Sequence, residues 1–264
     1  PVNQGYYTVV LESKAQTPPR DSDTYPQGDG YTSLTLAVDG TFKFAGVLAD
    51  KTKVTGASAL VAGHTSPVFA QLLTPGAATK NATFGGVLAF DTAPADTDVS
   101  GQDLVWFRPA VTETATLATQ LYTDGWPEGI TVDAFGALFA TSDIESSLGL
   151  GSPSPIGNFS FVFSGGKLAA NLEKVVNIAV NTTTPAITGD KSIKAMISAK
   201  TGIFTGAFTP NWLPLDTKQP AHAGILLLKG ANKGGYGHFI SNIPGDTNPA
   251  SGAVSLGVPL HTLP

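Results

Sequence analysis

The residues with the most chemical promise lie in Asp96-Thr-Asp98-Val-Ser100-Gly101-Gln-Asp103, where oxygen-bearing side chains fall at alternate positions and a glycine stands sixth. A loop of that kind can wrap Ca²⁺ with hard oxygen ligands, which makes Asp96, Asp98, Ser100 and Asp103 the candidate metal ligands. The likeness to an EF-hand loop is partial: the twelfth position is Phe107 rather than a bidentate Glu, and the residues that follow read as a strand. The competing reading is a solvated acidic hairpin loop. Asp21, Asp23 and Asp29 form a weaker version of the pattern, and calcium is the only cofactor that either suggests.

Other chemistries find less to stand on. His64, His222, His238 and His261 are dispersed, with no pair at metal-ligand spacing. Cys is absent, which excludes a thiol nucleophile, a Cys-based metal site and a disulfide framework. No Gly-x-Ser-x-Gly elbow occurs. The five Glu (Glu12, Glu113, Glu128, Glu145 and Glu173) sit in unrelated segments, so no glycosidase carboxylate pair is written out. Lys229-Gly-Ala-Asn-Lys-Gly-Gly235 is Gly-rich, but no helix start follows it, and a hairpin turn explains it better than a phosphate cradle. The expectation is that the chain is not an enzyme.

Aromatic side chains offer a second kind of site. Trp126 and Trp212 lie in Pro-containing loops, and with Tyr236 (and Trp106) they could stack on sugar rings, as in a carbohydrate-binding module; the alternative is packing inside a core. Asn81, Asn158 and Asn181 begin N-glycosylation patterns, of the number chance supplies in a Thr-rich chain.

The elements that must position these residues are strands. Leu34-Thr-Leu-Ala-Val38-Asp-Gly40-Thr-Phe42-Lys-Phe-Ala-Gly46-Val-Leu48 is echoed by Ile193-Lys-Ala-Met-Ile197-Ser-Ala-Lys-Thr-Gly202-Ile-Phe204-Thr-Gly206-Ala-Phe208. Each is an apolar alternating run, a turn closed by Gly and a second run, which reads as an antiparallel hairpin. The echo continues downstream, residues 68–73 and 84–90 answering 224–229 and 236–240. Period-two alternation gives strands over 6–11, 31–38, 42–48, 53–61, 67–73, 83–90, 104–107, 158–163, 175–180, 193–198, 203–208, 224–229, 236–241 and 253–258. Leu168 to Val176 carries the only helical spacing. The fold class that follows is all-β: two similar antiparallel barrel- or sandwich-like halves related by internal duplication. Residues 1–110 form the first half-domain, 111–157 an irregular connector and 158–264 the second half-domain.

Composition narrows the partners. With 264 residues and 42% hydrophobic content the chain can bury a substantial core, while charged residues make up only 13%. The net charge is -5 and the 15 Lys and Arg are scattered, leaving no basic stripe for nucleic acid. No apolar run is long enough for a membrane-spanning helix. Opening at Pro1 without Met or a signal sequence suits a processed or trimmed product.

With these motifs assembled, the chain resembles a β-rich module of unassigned activity found in large secreted or surface proteins of Verrucomicrobia, Planctomycetes and related bacteria. The residues that carry the likeness are Gly28-Asp-Gly-Tyr31, Asp39-Gly-Thr-Phe42, Gly46-Val-Leu-Ala-Asp50, Leu104-Val-Trp106-Phe-Arg-Pro109, Phe159-Ser-Phe-Val-Phe-Ser-Gly-Gly-Lys-Leu168, Lys200-Thr-Gly-Ile-Phe-Thr-Gly-Ala-Phe208 and Gly234-Gly-Tyr-Gly-His-Phe239. The resemblance implies an exported, all-β structural or adhesive part and supplies no catalytic residues. The expected function is therefore an extracellular surface protein, a self-assembling subunit of a filament, sheath or surface layer. Its partners would be copies of itself or other surface proteins, with polysaccharide as the alternative. Strand pairing through Tyr6–Leu11 and Ala253–Val258 is the expected mechanism.

Overall fold

The computed structural model describes residues 3–13, 23–74, 77–111, 121–140, 144–179, 186–212 and 218–257. Asp21, Asn181 and His261 lie outside them. The chain is nearly all β, and alternation decides which way each strand faces: along β5 (Thr65–Leu72), Ser66, Val68, Ala70 and Leu72 are buried while Pro67, Phe69 and Gln71 are exposed.

The first sheet holds β1 (Gly5–Ser13), β2 (Gly30–Leu36), β3 (Thr41–Val47), β4 (Lys53–Ala59), β5, β6 (Ala82–Phe90), β7 (Val99–Arg108) and β8 (Trp126–Leu138). The second holds β9 (Phe159–Gly165), β10 (Leu172–Ala179), β11 (Ala186–Gly189), β12 (Ile193–Ile197), β13 (Ile203–Phe208), β14 (Ala221–Leu227), β15 (Gly234–Ile240) and β16 (Ser251–Gly257). Both are eight-stranded antiparallel meanders in which the first strand pairs with the last, β1 with β8 and β9 with β16. Each sheet thereby curls into a nearly closed barrel-like ring with one seam.

The seams differ. Between β4 and β5 the Ser58 and Ser66 hydroxyls meet at 2.8 Å, and they donate in turn to the Pro67 and Ala59 carbonyls. Between β11 and β12 the connection is the turn 190–192, where Asp190 Oδ1 accepts the Ser192 amide at 2.7 Å. Inside the first ring Leu34, Phe44, Phe84, Leu88 and Leu104 pack around a void of only about 10 Å³, and Phe42, Phe90 and Trp106 are buried in the same core, so the ring is filled rather than hollow. Phe159, Phe161, Phe163, Phe204 and Phe208 fill the second.

Several expectations are corrected. Trp126–Leu138, placed in the irregular connector, is the longest strand and closes the first ring, which therefore runs well past residue 110. The stretch Leu168 to Val176 is not helical; β10 begins at Leu172, and the short helix is α1 (Ile144–Leu148), whose Ile144 and Leu148 join the second core. β11 was not foreseen. Strands β1 and β16 are paired on both sides, so neither offers a free edge to a neighbour. Val38 sits in the β2–β3 turn, 85% exposed, not on the inner face with Leu34 and Leu36.

Candidate functional site at the barrel junction

The chemistry-bearing residues gather where the two rings meet. The apolar floor of this joint is Val10, Tyr31, Ile225 and Leu227, all buried, with Val47, Phe135 and Tyr236 packed against them. The approach is close enough that a Cβ on Gly28 would collide with the Gly252 carbonyl oxygen and the His238 Cβ. That space lets the Asp29 amide donate to the Gly237 carbonyl at 3.1 Å. It also brings His238 Nδ1 within 2.8 Å of the Asp29 carbonyl oxygen, with the imidazole stacked on Tyr31.

Burial shapes the protonation of this pair. Desolvation, with the negative charge of Glu12 added, pushes the Asp29 carboxyl up to about 7. Desolvation likewise pushes His238 down to about 4, against the backbone hydrogen bond to Asp29 and in line with repulsion from Lys51. The joint thus holds a neutral imidazole and a carboxyl that ionises near neutrality.

The acidic loop expected to bind calcium is part of the same joint. Asp96 Oδ1 accepts the Ala231 amide at 2.6 Å in the 3-10 turn Gly230–Asn232. Asp98 Oδ1 faces Lys229 Nζ at 2.6 Å while its Oδ2 accepts the Leu138 amide at 2.9 Å. Ser100 lies outward on β7, and Asp103 adopts a left-handed backbone with its amide donating to Asp133 Oδ1 at 2.9 Å. The four candidate ligands do not converge; two of them clasp the opposite ring. Among the described residues no three His, Asp or Glu side chains form a group able to hold a metal.

Other aspartates are absorbed by turns. Asp39, Asp50, Asp91 and Asp246 each accept, like Asp190, the amide two residues on, at 2.8 to 3.0 Å. Asp50 also meets Arg108 Nη1 at 2.9 Å in full burial, and the Arg108 guanidinium lies 5.3 Å from the Trp126 ring centre. Burial drives the Asp50 carboxyl up and the Arg108 guanidinium down, each against the pull of the other. Beside them the Tyr122 hydroxyl accepts the Ser251 amide at 2.7 Å, another tie between the rings.

The aromatic candidates are packing residues. Trp126 is 2% exposed and meets Trp106 edge-on at 4.7 Å; Trp212 is 1% exposed and donates its indole N–H to the Gly166 carbonyl. Tyr236 is half-buried against Phe135 in the joint. Their burial overturns the reading of Trp126, Trp212 and Tyr236 as a sugar-stacking platform. His222 is caged by Phe161, Phe163, Phe204 and Phe208.

Beside the joint Asp23, Thr24, Thr123, Asp124, Thr247 and Asn248 line a polar cleft of about 170 Å³ with Tyr122 at its floor, below the roughly 300 Å³ at which small-molecule pockets begin. It suits hydrogen bonding to water or a single small polar group. The roles of Asp29, Lys229, Tyr122 and the Asp50–Arg108 pair escaped the sequence because no local spacing links residue 96 to 231 or 50 to 108. No family model, curated protein or solved structure matches the chain, and the likeness to modules of large bacterial surface proteins accordingly remains an expectation carried by its motifs alone.

Proposed function

We propose that this chain is a structural or adhesive building block that works outside the cell and associates through the outer surface of its rings. The observation that carries this reading is where apolar side chains are left in water. Of the large exposed hydrophobic residues, Phe69, Leu73, Val87 and Val105 fall on or beside β5, β6 and β7, on one side of one ring. Isolated apolar residues on a surface are ordinary, whereas their gathering marks an interaction face. Acids and buried aromatics, by contrast, serve turns, cores and the joint.

Sedimentation velocity over a wide concentration range, paired with electron microscopy, tests the reading. Concentration-dependent association or ordered particles are the expected result. A chain that stays monomeric throughout and forms no ordered particle contradicts it.

A further inference from the structure

We propose that His222 is an acid-operated latch in the second ring: a proton taken up by its imidazole opens that ring along the β11–β12 seam while the first ring stays closed. The imidazole stands inside the core. Its centre lies 5.3 to 6.3 Å from the ring centres of Phe161 and Phe163 on β9 and of Phe204 and Phe208 on β13, and register sets it opposite Phe239 on β15. Gly206 makes the room: a Cβ there would strike both His222 Nε2 and the Lys194 carbonyl oxygen of β12. Nε2 therefore lies against the strand that borders the seam.

A proton finds no counter-charge there. Toward the imidazole β9 and β13 turn phenylalanines and Gly206, β12 a backbone carbonyl and β15 Phe239; the Lys194 side chain is exposed, and His238, paired with Ala223, belongs to the joint. Among the described residues no charged side chain acts on His222, and aromatic faces attract a cation far less strongly than its lost hydration costs. Burial holds the imidazole neutral down to about 4, whereas in water it charges near 6.5. Between those values a proton binds the open ring better than the closed one, the differential affinity that a switch requires. The weak place is close by. β12 is five residues long and pairs in a ladder with β13 alone, so lifting it breaks one ladder and brings water to Nε2. The first core holds no histidine among the described residues, and Ser58 and Ser66 clasp its seam.

Hydrogen exchange read by mass spectrometry and corrected for the intrinsic effect of pH tests the proposal on the full chain, on His222→Leu and on His222→Gln, two replacements that cannot titrate. Far-UV circular dichroism at neutral pH confirms that each variant is folded. In the wild type, peptides spanning β12 and β13 should exchange about fiftyfold faster at pH 4.5 than at pH 7, the factor that a shift from 6.5 to about 4 supplies. Peptides of β2 and β3 should be unchanged, and both variants should lose the acceleration. Protection at β12 that does not fall with pH in the wild type overturns the proposal. So does acceleration equal in the two rings, which is global acid unfolding, and so does acceleration that survives in either variant.

Discussion

Among the described residues, His222 is the one with two buried side-chain polar atoms that find no partner. It is 2% exposed among four phenylalanines, and neither ring nitrogen makes a hydrogen bond of ordinary geometry. Burial pushes it down to about 4, as it does His238. Both groups therefore stay neutral in the folded chain at pH values where they take up a proton on unfolding. Their contribution is complete above about 6.5 and is lost as pH falls toward 4, up to about 3 kcal/mol for each. Asp29 works in the opposite sense: its carboxyl holds a proton to about 7 when folded, so its contribution falls between about 4 and 7 as pH rises. The two histidines outweigh the one acid, and stability should decline from pH 6.5 to 4. His222→Leu should raise stability near pH 7 by about 1 to 2 kcal/mol, by removing an unsatisfied polar group, and should nearly flatten the acid-side slope, because His238 and Asp29 then offset one another. Urea denaturation at stepped pH checks both; an unchanged slope shows that His222 is not the titrating group. None of this was legible beforehand, because a histidine between alternating apolar residues is written identically whether it faces solvent or a cage of rings.

At the scale of elements, the sequence was a good guide wherever side chain and turn agreed. Alternation located most strands to within a few residues, and Gly40 and Gly202, at φ 81° and 68°, close the two echoed hairpins as their positions require. It failed where local signals conflicted with pairing. In β8, Pro127, Gly129 and Gly136 masked the inward run Ile130, Val132 and Ala134. In β10 the spacing of Leu168, Leu172 and Val176 imitated a helix that pairing with β9 overrides. The acidic loop before β7 was visible, but its role depended on the 3-10 turn that faces it from the other ring. That pairing makes a prediction. Lys229→Ala leaves the 8%-exposed Asp98 carboxylate without its ammonium and should cost about 2 kcal/mol. Hydrogen exchange should then accelerate at the Asp29 amide, whose acceptor Gly237 belongs to the same ring as Lys229. Faster exchange confined to the turn 230–232, with Asp29 unchanged, would show that the clasp is local and does not hold the joint.

The whole molecule is two rings of one architecture, yet the echo that suggested duplication does not align them strand for strand. The β2–β3 hairpin holds the second and third places of its meander, whereas β12–β13 holds the fourth and fifth of the other; β5–β6 and β14–β15 are offset by one place. What recurs is the hairpin as a unit, fitted at different points of a common ring. The rings are then coupled through a joint whose floor residues Val10, Ile225 and Leu227 are at most 1% exposed, and either ring alone would turn them to water. Unfolding should accordingly be a single transition. The second ring, with no side-chain clasp across its β11–β12 seam among the described residues, should yield first once the joint is broken. Gly28→Val breaks it, since any Cβ there strikes Gly252 and His238. Trp212→Phe leaves Trp106 and Trp126, both in the first ring, as the only indoles. In that background thermal loss of far-UV circular dichroism and of tryptophan fluorescence should coincide, and adding Gly28→Val should make the circular dichroism fall first. Curves that remain superimposed would mean that the rings cooperate through contacts other than this joint.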